Sequence, residues 1–490
     1  MKAFVRSAHR AALKRALWAS LLSTAVMLAG AEEAVTSRSD QSAAGLWFDI
    51  APLVELTNRP VLSTSDKVSA EDLEWFYARP AIATLGFQMR TGPLFAVMSV
   101  ELQQDVGELL LGGSLTNLPV SYNWNSLCFA NNYPNVGFLE GEEQGWHFSL
   151  GRRAINLGPG DYSLTVSGQN PWYDHAMGGL SAMLGSGLLN YDFLAINVLS
   201  RSDDGKYLFM HRIQAEFPLW SLGFSEYNLL TKDSLDFQDI GPFLIYHHLF
   251  SSGSNVMAQL DAELRPAPDF RLYGEVLMDD FQLTTESSSS NPNAFGFHAG
   301  LEWAILPASD YARPHVFRKD YGISIGSSHL QGELLASLEW YWASTYLYRR
   351  SSSALNEAYF SRYFLQTNSS IGWQTVEPWF SYPLGPDRMM FSARLAYAKS
   401  RMAVSWRTYF MILGVESGET TYQAPYADNW FGPQSPVTYA VHTDVSFDYV
   451  VRHSTLLRSA VSLDWKSSAG NPVYGISLVV VQRLSVGVTE

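Results

Sequence analysis

A single cysteine, Cys128, stands in the 490 residues. That excludes an intrachain disulfide, a redox pair and a Cys-based metal site, and leaves a lone thiol read as packed and inert. Charge is scarce as well: Asp, Glu, Lys and Arg make up 16% of the chain, where a soluble domain carries about 25%. What charge there is runs negative. Residues 1–31 hold five basic side chains (Lys2, Arg6, Arg10, Lys14, Arg15) and no acid, so beyond them 28 basic residues stand against 47 acidic ones, a balance of −19. Such a chain repels nucleic acid, and a nucleic-acid partner is set aside. Long apolar runs are the third shortage. Ala16 to Leu28 stops at Ala29-Gly30-Ala31, and Ser181 to Ser200 carries Asn190, Asp192 and Asn197, so neither supplies the about 20 apolar residues of a spanning helix.

The first of those runs has another reading. A basic stretch, an apolar segment and small residues in that order form the plan of a secretory signal peptide, with cleavage expected after Ala31. Residues 1–31 are therefore expected to be removed. Residues 32–84 are read as a segment on the periplasmic side, and 85–490 as the folded body. Within the segment, Ser69 is placed to cap a short helix, with Asp72 three residues on and Leu73, Phe76 and Tyr77 on an apolar face.

What is plentiful is aromatic: 14% of residues, within a hydrophobic fraction of 47%. Few charges and many aromatics suit a surface that meets something other than water. Without spanning helices, the structure that satisfies every backbone group in lipid is a closed barrel. Its strands must alternate between lipid and a polar lumen over roughly 10 residues. From Asn255 to Leu264 the even positions are Val256, Ala258, Leu260, Ala262 and Leu264, and the odd ones Asn255, Met257, Gln259, Asp261 and Glu263. From Glu333 to Tyr348 the even face runs Leu334, Ala336, Leu338, Trp340, Trp342, Ser344, Tyr346, Tyr348, with the aromatic density of an interfacial girdle at its end. Met402/Val404/Trp406/Phe410 alternate with Ser405 and Arg407, Val441/Val445/Phe447 with His442, Asp444 and Asp448, and Val461/Leu463/Trp465 with Ser462, Asp464 and Lys466. At about 20 residues per strand and turn, the body holds on the order of 16 to 20 strands. The fold expected is all-β: a large antiparallel transmembrane β-barrel with a short N-terminal helical region. A soluble β-sandwich or propeller, which alternates too, is the alternative.

Motifs of catalysis do not fit this frame. Gly322-Ile323-Ser324-Ile325-Gly326 matches a nucleophile elbow, but that elbow needs a strand-to-helix turn, so the match is read as chance. His247 and His248 are adjacent, and neighbours on a strand point to opposite faces, so they are not read as a metal site. No catalytic residue, metal or cofactor is assigned. On Phe270 to Asp280, Arg271, Tyr273, Glu275 and Asp279 share the face opposite Leu272, Val276 and Met278 and are expected to line the lumen, in ion pairs or in ligand contact; Arg212 is placed there too.

Several short blocks then resemble a known family. Gly151-Arg152-Arg153-Ala154-Ile155-Asn156-Leu157-Gly158-Pro159-Gly160, Phe209-Met210-His211-Arg212, Gly241-Pro242-Phe243 with Tyr246-His247-His248, and Leu272-Tyr273-Gly274-Glu275 with Asp279-Asp280-Phe281 occur in an order similar to that of the Wzi-like capsule assembly family. The resemblance implies an 18-stranded outer-membrane barrel with a helical plug on the periplasmic side, acting as a lectin that retains capsular polysaccharide at the cell surface. Its partners would be that polysaccharide and outer-membrane lipid. Leu157 departs from the pattern, which has an aromatic there.

Glycan recognition also has a physical signature: aromatic faces stack on sugar C–H surfaces while Asp, Glu, Asn and Arg fix hydroxyls. Two stretches gather such side chains beside turns, Trp172, Tyr173 and Asp174 after Gly168-Gln169-Asn170-Pro171, and Tyr426, Asp428, Asn429 and Trp430 before Gly432-Pro433. Girdle anchors beside turns would need the same residues. The competing functions are a diffusion porin or transporter, which requires an open lumen, and an outer-membrane hydrolase, which requires a Ser/His/acid set near the rim.

Overall fold

The computed structural model describes residues 43–486, except 62–66, 107–114, 119–126, 130–134, 199–204, 233–234, 236, 242–245, 247–253, 281–291, 308–320, 327–328, 350–358, 367–372 and 417–430. Eighteen antiparallel strands close into one barrel. Two of them are built from paired segments, Ala43–Ile50 with Leu53–Thr57, and Leu127–Phe129 with Val136–Glu143. The others run continuously, from Ala83–Thr91 to Val473–Val486. Closure is made by Ala43–Ile50, which pairs with Ala83–Thr91 on one side and with the end of Val473–Val486 on the other. The wall therefore starts at Ala43, well before the expected 85, because this segment supplies the hydrogen-bond partner that the last strand needs.

Alternation sorts the wall as the sequence requires. On Ser254–Ala267 the inner Asn255, Gln259, Asp261 and Glu263 are at most 4% exposed, while Leu260 and Leu264 face outward. Outward neighbours on adjoining strands, such as Phe391, Trp406, Val445 and Val461, continue the apolar band around the barrel. Eighteen strands spaced by about 4.8 Å and tilted by about 40° close at a radius of roughly 18 Å, which leaves a lumen that must be filled or conduct.

The two ends differ. At one, Thr91 and Leu94, Leu184 and Gly187, Phe217 and Trp220, Lys399 and Met402, and Arg452 and Thr455 are joined by two-residue turns. Barrels of this kind keep short turns on the periplasmic side and long loops outside. The helix Ala70–Ala78 forms as its cap predicts: Ser69 Oγ accepts from the Asp72 backbone N–H, and Asp72 accepts from that of Ser69. Its position is a correction. Leu73 and Phe76 pack with Trp172, Tyr363 and Leu365, and Lys466 pairs with Glu71, all at the long-loop end rather than the periplasmic one. A second correction concerns Gly332–Ala343, whose alternation does not continue to Tyr348. Past Ala343 the chain turns into the lumen and Tyr346 and Tyr348 are buried, so of the expected girdle Trp340 and Trp342 stand on the outward face, beside Phe391 and Phe297, and the two tyrosines do not.

Candidate functional site

The lumen is occupied by the chain itself. Residues 154–172, which join Trp146–Arg153 to Tyr173–Leu184, dip inside the barrel and return. Ile155, Leu157, Leu164 and Val166 are at most 2% exposed there. Opposite them, the connection after Pro307 sends Ile323–Ile325 inward to pair in parallel with Ile155–Leu157. Gly322 to Gly326 is thus one edge of an internal ribbon, with no strand-to-helix turn to make Ser324 a nucleophile.

One strand, Phe270–Asp280, shows how the plug is held. Its inner face meets the plug and its flanks at successive depths. Arg271, fully buried, donates to Glu302 (2.7 Å), Glu263 (3.1 Å) and the Pro159 carbonyl (3.2 Å). Tyr273 donates to Glu339 Oε1 (2.9 Å), which also accepts from the Asp161 N–H (2.9 Å). Glu275 accepts from the Leu164 N–H (3.1 Å) and from Gln259 (2.6 Å). Asp279 accepts from the Tyr348 N–H (2.9 Å). Such buried polar groups are stable because each finds a partner. Arg212 lies on the same wall, donating to Asp261 (2.8 Å) and Ser225 (3.0 Å). These five side chains hold the barrel's own interior together rather than facing an empty pore.

The Gly158-Pro159-Gly160 sequence explains how the plug comes so close. Gly158 has φ +129°, and a Cβ there would lie 2.5 Å from Glu275 Oε2. A Cβ on Gly160 would lie 2.4 Å from His298 Cε1 and 2.5 Å from the Tyr341 hydroxyl. Only glycine permits this approach of backbone to wall.

The glycan loops fare differently. Trp172 and Tyr173 are 4% and 3% exposed. Trp172 packs edge-on against Tyr77 and Tyr363, and Tyr173 stacks on Phe380, so both are committed to fixing the helix and the plug. Their buried rings leave little face for a sugar, although both border a cleft at the rim. Asp174 pairs with Arg152 (2.5 and 2.6 Å) and, with Trp172, Tyr173, Asn197, Ser361 and Arg362, lines a shallow cleft at the long-loop rim. Tyr426, Asp428, Asn429 and Trp430 lie outside the described residues, as do His247 and His248. Tyr246 packs on the outer face of the wall, stacked on His211 at 4.7 Å with its N–H on Glu226, which brings two of the family-like blocks together.

An apolar band around a closed wall, with the lumen taken up by the chain's own plug, defines an outer-membrane β-barrel of the plugged kind. No family model matches the chain, and no curated protein is similar to it in sequence. Among solved structures it is similar to Wzi of Escherichia coli, described as a carbohydrate-binding β-barrel involved in group 1 capsule assembly, with 12% identity, 90% of this chain and 85% of that one covered, and a TM-score of 0.48. It is also similar to OccK2 of Pseudomonas aeruginosa, solved in complex with glucuronate (9% identity, 91% and 96% covered, TM-score 0.42). OprD of Pseudomonas aeruginosa is a third (9% identity, 93% and 96% covered, TM-score 0.39). Identities this low say nothing of what the present chain binds.

Proposed function

We propose that this chain is a non-enzymatic outer-membrane β-barrel that binds an extracellular, capsule-type polysaccharide and retains it at the cell surface. The observation that carries this reading is the occupied lumen. A wall of this circumference is wide enough to conduct when empty, and a diffusion pore has no use for a plug tied to it through Arg271, Glu275, Glu339 and Tyr341. Recognition then falls to the long-loop end. There the cleft bordered by Trp172, Tyr173, Asp174, Asn197 and Arg362 sets hydrogen-bonding groups beside aromatic rings, the combination that sugar recognition uses. The order of the family-like blocks points the same way.

The test is the partition of surface polysaccharide between washed cells and medium, with the gene intact and deleted. Movement of the glycan into the medium at unchanged total synthesis supports retention. An unchanged partition overturns it, and ion-selective currents from the purified barrel in planar bilayers would then favour the porin.

A further inference from the structure

One connection breaks the pattern of the periplasmic end. Seven connections there are two-residue turns, whereas the eighth occupies residues 308–331, between Pro307 and Gly332, which face each other across the ladder. Barrels keep that side short, and this connection does not. Its described residues, 321–326 and 329–331, do not stay at the periplasmic mouth either. They climb inside the barrel as far as Arg153, the last residue of its strand and the point where the plug leaves the wall.

Three ties join this segment to the plug. Arg153 donates to the carbonyls of Tyr321 and Gly322. The parallel ladder follows, with the Ile323 N–H on the Ala154 carbonyl and the Gly158 N–H on that of Ile325, both at 2.9 Å. Arg271 supplies the third: its Nη2 donates both to the Pro159 carbonyl (3.2 Å) and to His329 Nδ1 (3.1 Å). The wall holds the far end of the segment, where Glu302 accepts from the Leu330 N–H (2.9 Å).

From the ladder the contacts run on to the rim. Asn156, its middle residue, accepts from the Gly168 N–H (3.2 Å) and donates to the Gly160 carbonyl (2.9 Å). Next to Gly168, the Ser167 carbonyl accepts from the Tyr173 hydroxyl (3.0 Å), and that hydroxyl accepts from the Asn170 side chain (2.7 Å). Tyr173 borders the cleft at the long-loop end. A path of bonded residues thus leads from His329, near the periplasmic turns, to the outer rim.

We propose that the connection from Pro307 to Gly332 is a latch that couples the two ends of the barrel. Seated, it holds the plug and, through Asn156, the floor of the rim cleft; drawn back toward the periplasm, it loosens both. Such coupling is reciprocal, so a polysaccharide bound in the cleft tightens the latch. That last step rests on the proposed function, whereas the latch itself does not.

The test is hydrogen exchange on the full-length barrel in lipid nanodiscs, unmodified against Ile323→Pro. The substitution deletes the N–H that bonds Ala154 and touches no bond of the wall; Ile325→Ala stands in reserve should that barrel fail to fold. Exchange should quicken by at least about fivefold at Gly158 and also at Gly168 and Asn170, with the amides of Tyr173–Leu184 unchanged. Acceleration confined to 154–158 would overturn the latch, because the rim would not sense it. A second arm adds surface polysaccharide extracted from the producing cells. It should slow exchange at Ile325 in the unmodified barrel, and its dissociation constant should rise by at least about fivefold in Ile323→Pro, the reciprocal of the first effect. Equal affinity for the two barrels would overturn the coupling. If the unmodified barrel binds no polysaccharide, the proposed function falls and the first arm alone decides the latch.

Discussion

Replacing Gly158 with alanine tests whether the plug, rather than the wall, keeps this barrel shut. Two costs add at that position. The backbone sits at φ +129°, and a non-glycine residue held in such a region costs about 1–3 kcal/mol. The new Cβ would also stand 2.5 Å from Glu275 Oε2, a carboxylate pinned by Gln259 and the Leu164 N–H and so unable to swing away; forced overpacking of this kind costs about 1–3 kcal/mol more. Against that stands the burial of Ile155, Leu157, Leu164 and Val166, about 1.5–3 kcal/mol each. The plug should therefore remain mostly seated, while its unseated fraction rises by about thirtyfold to twenty-thousandfold. No ladder bond of the wall is touched. In planar bilayers the Gly158→Ala barrel should show brief openings that the unmodified barrel lacks, with plug amides exchanging faster while strand amides do not. If the variant is as silent as its parent and exchange across 155–167 is unchanged, the plug is not the seal and the reasoning fails.

Three further outcomes follow from other contacts. Glu275→Leu removes the acceptor of the Leu164 N–H and of Gln259, and leaving such donors buried costs about 1–3 kcal/mol each; hydrogen exchange should accelerate at Leu164 while Ile155–Leu157 changes less. Ser69→Ala removes the hydroxyl that accepts from the Asp72 N–H, leaving Asp72 to accept from the backbone N–H of residue 69, and should weaken the helix by about 1 kcal/mol, seen as faster exchange over Ala70–Ala78 with an unaltered unfolding midpoint for the barrel. Leu260→Arg places a charge on an outward position near mid-strand, 49% exposed, and should lower stability in lipid vesicles by about 2–4 kcal/mol, whereas the inward Ser446→Arg should cost far less.

Much of the wall was legible because a strand's period of two is written directly into the order of residues. Leu272, Val276 and Met278 are outward while Arg271, Tyr273, Glu275 and Asp279 are inward, as the alternation alone requires. The cap of the helix was legible for a similar reason, since Ser69 and Asp72 act on each other three residues apart. The plug was not. Residues 154–172 pack against wall on one side and against other inward segments, Ile323–Ile325, Tyr348 and Phe380, on another, so no periodicity separates one face from another, and the segment reads as an ordinary loop rich in Gly and Ser. Trp172 and Tyr173 were ambiguous for a related reason: aromatic residues beside a turn look the same whether solvent, lipid or Tyr363 and Phe380 lie across from them. The early start of the wall at Ala43 was hidden because its partners are more than 430 positions away, at Arg483 to Val486.

The plug lies early in the chain, while its seat is made by later segments, so seating it is a long-range event. Leu164 bonds to Glu275, Tyr162 to Tyr341, and the Ser167 N–H to the Phe380 carbonyl, separations of 111, 179 and 213 residues. Contacts over such distances form slowly, whereas most of the wall is made of hairpins between neighbouring strands. A chain whose plug misses its seat would keep the ladder of its wall while Glu275 and Tyr341 lose the partners that bind them to the plug: a finished bottle without its stopper.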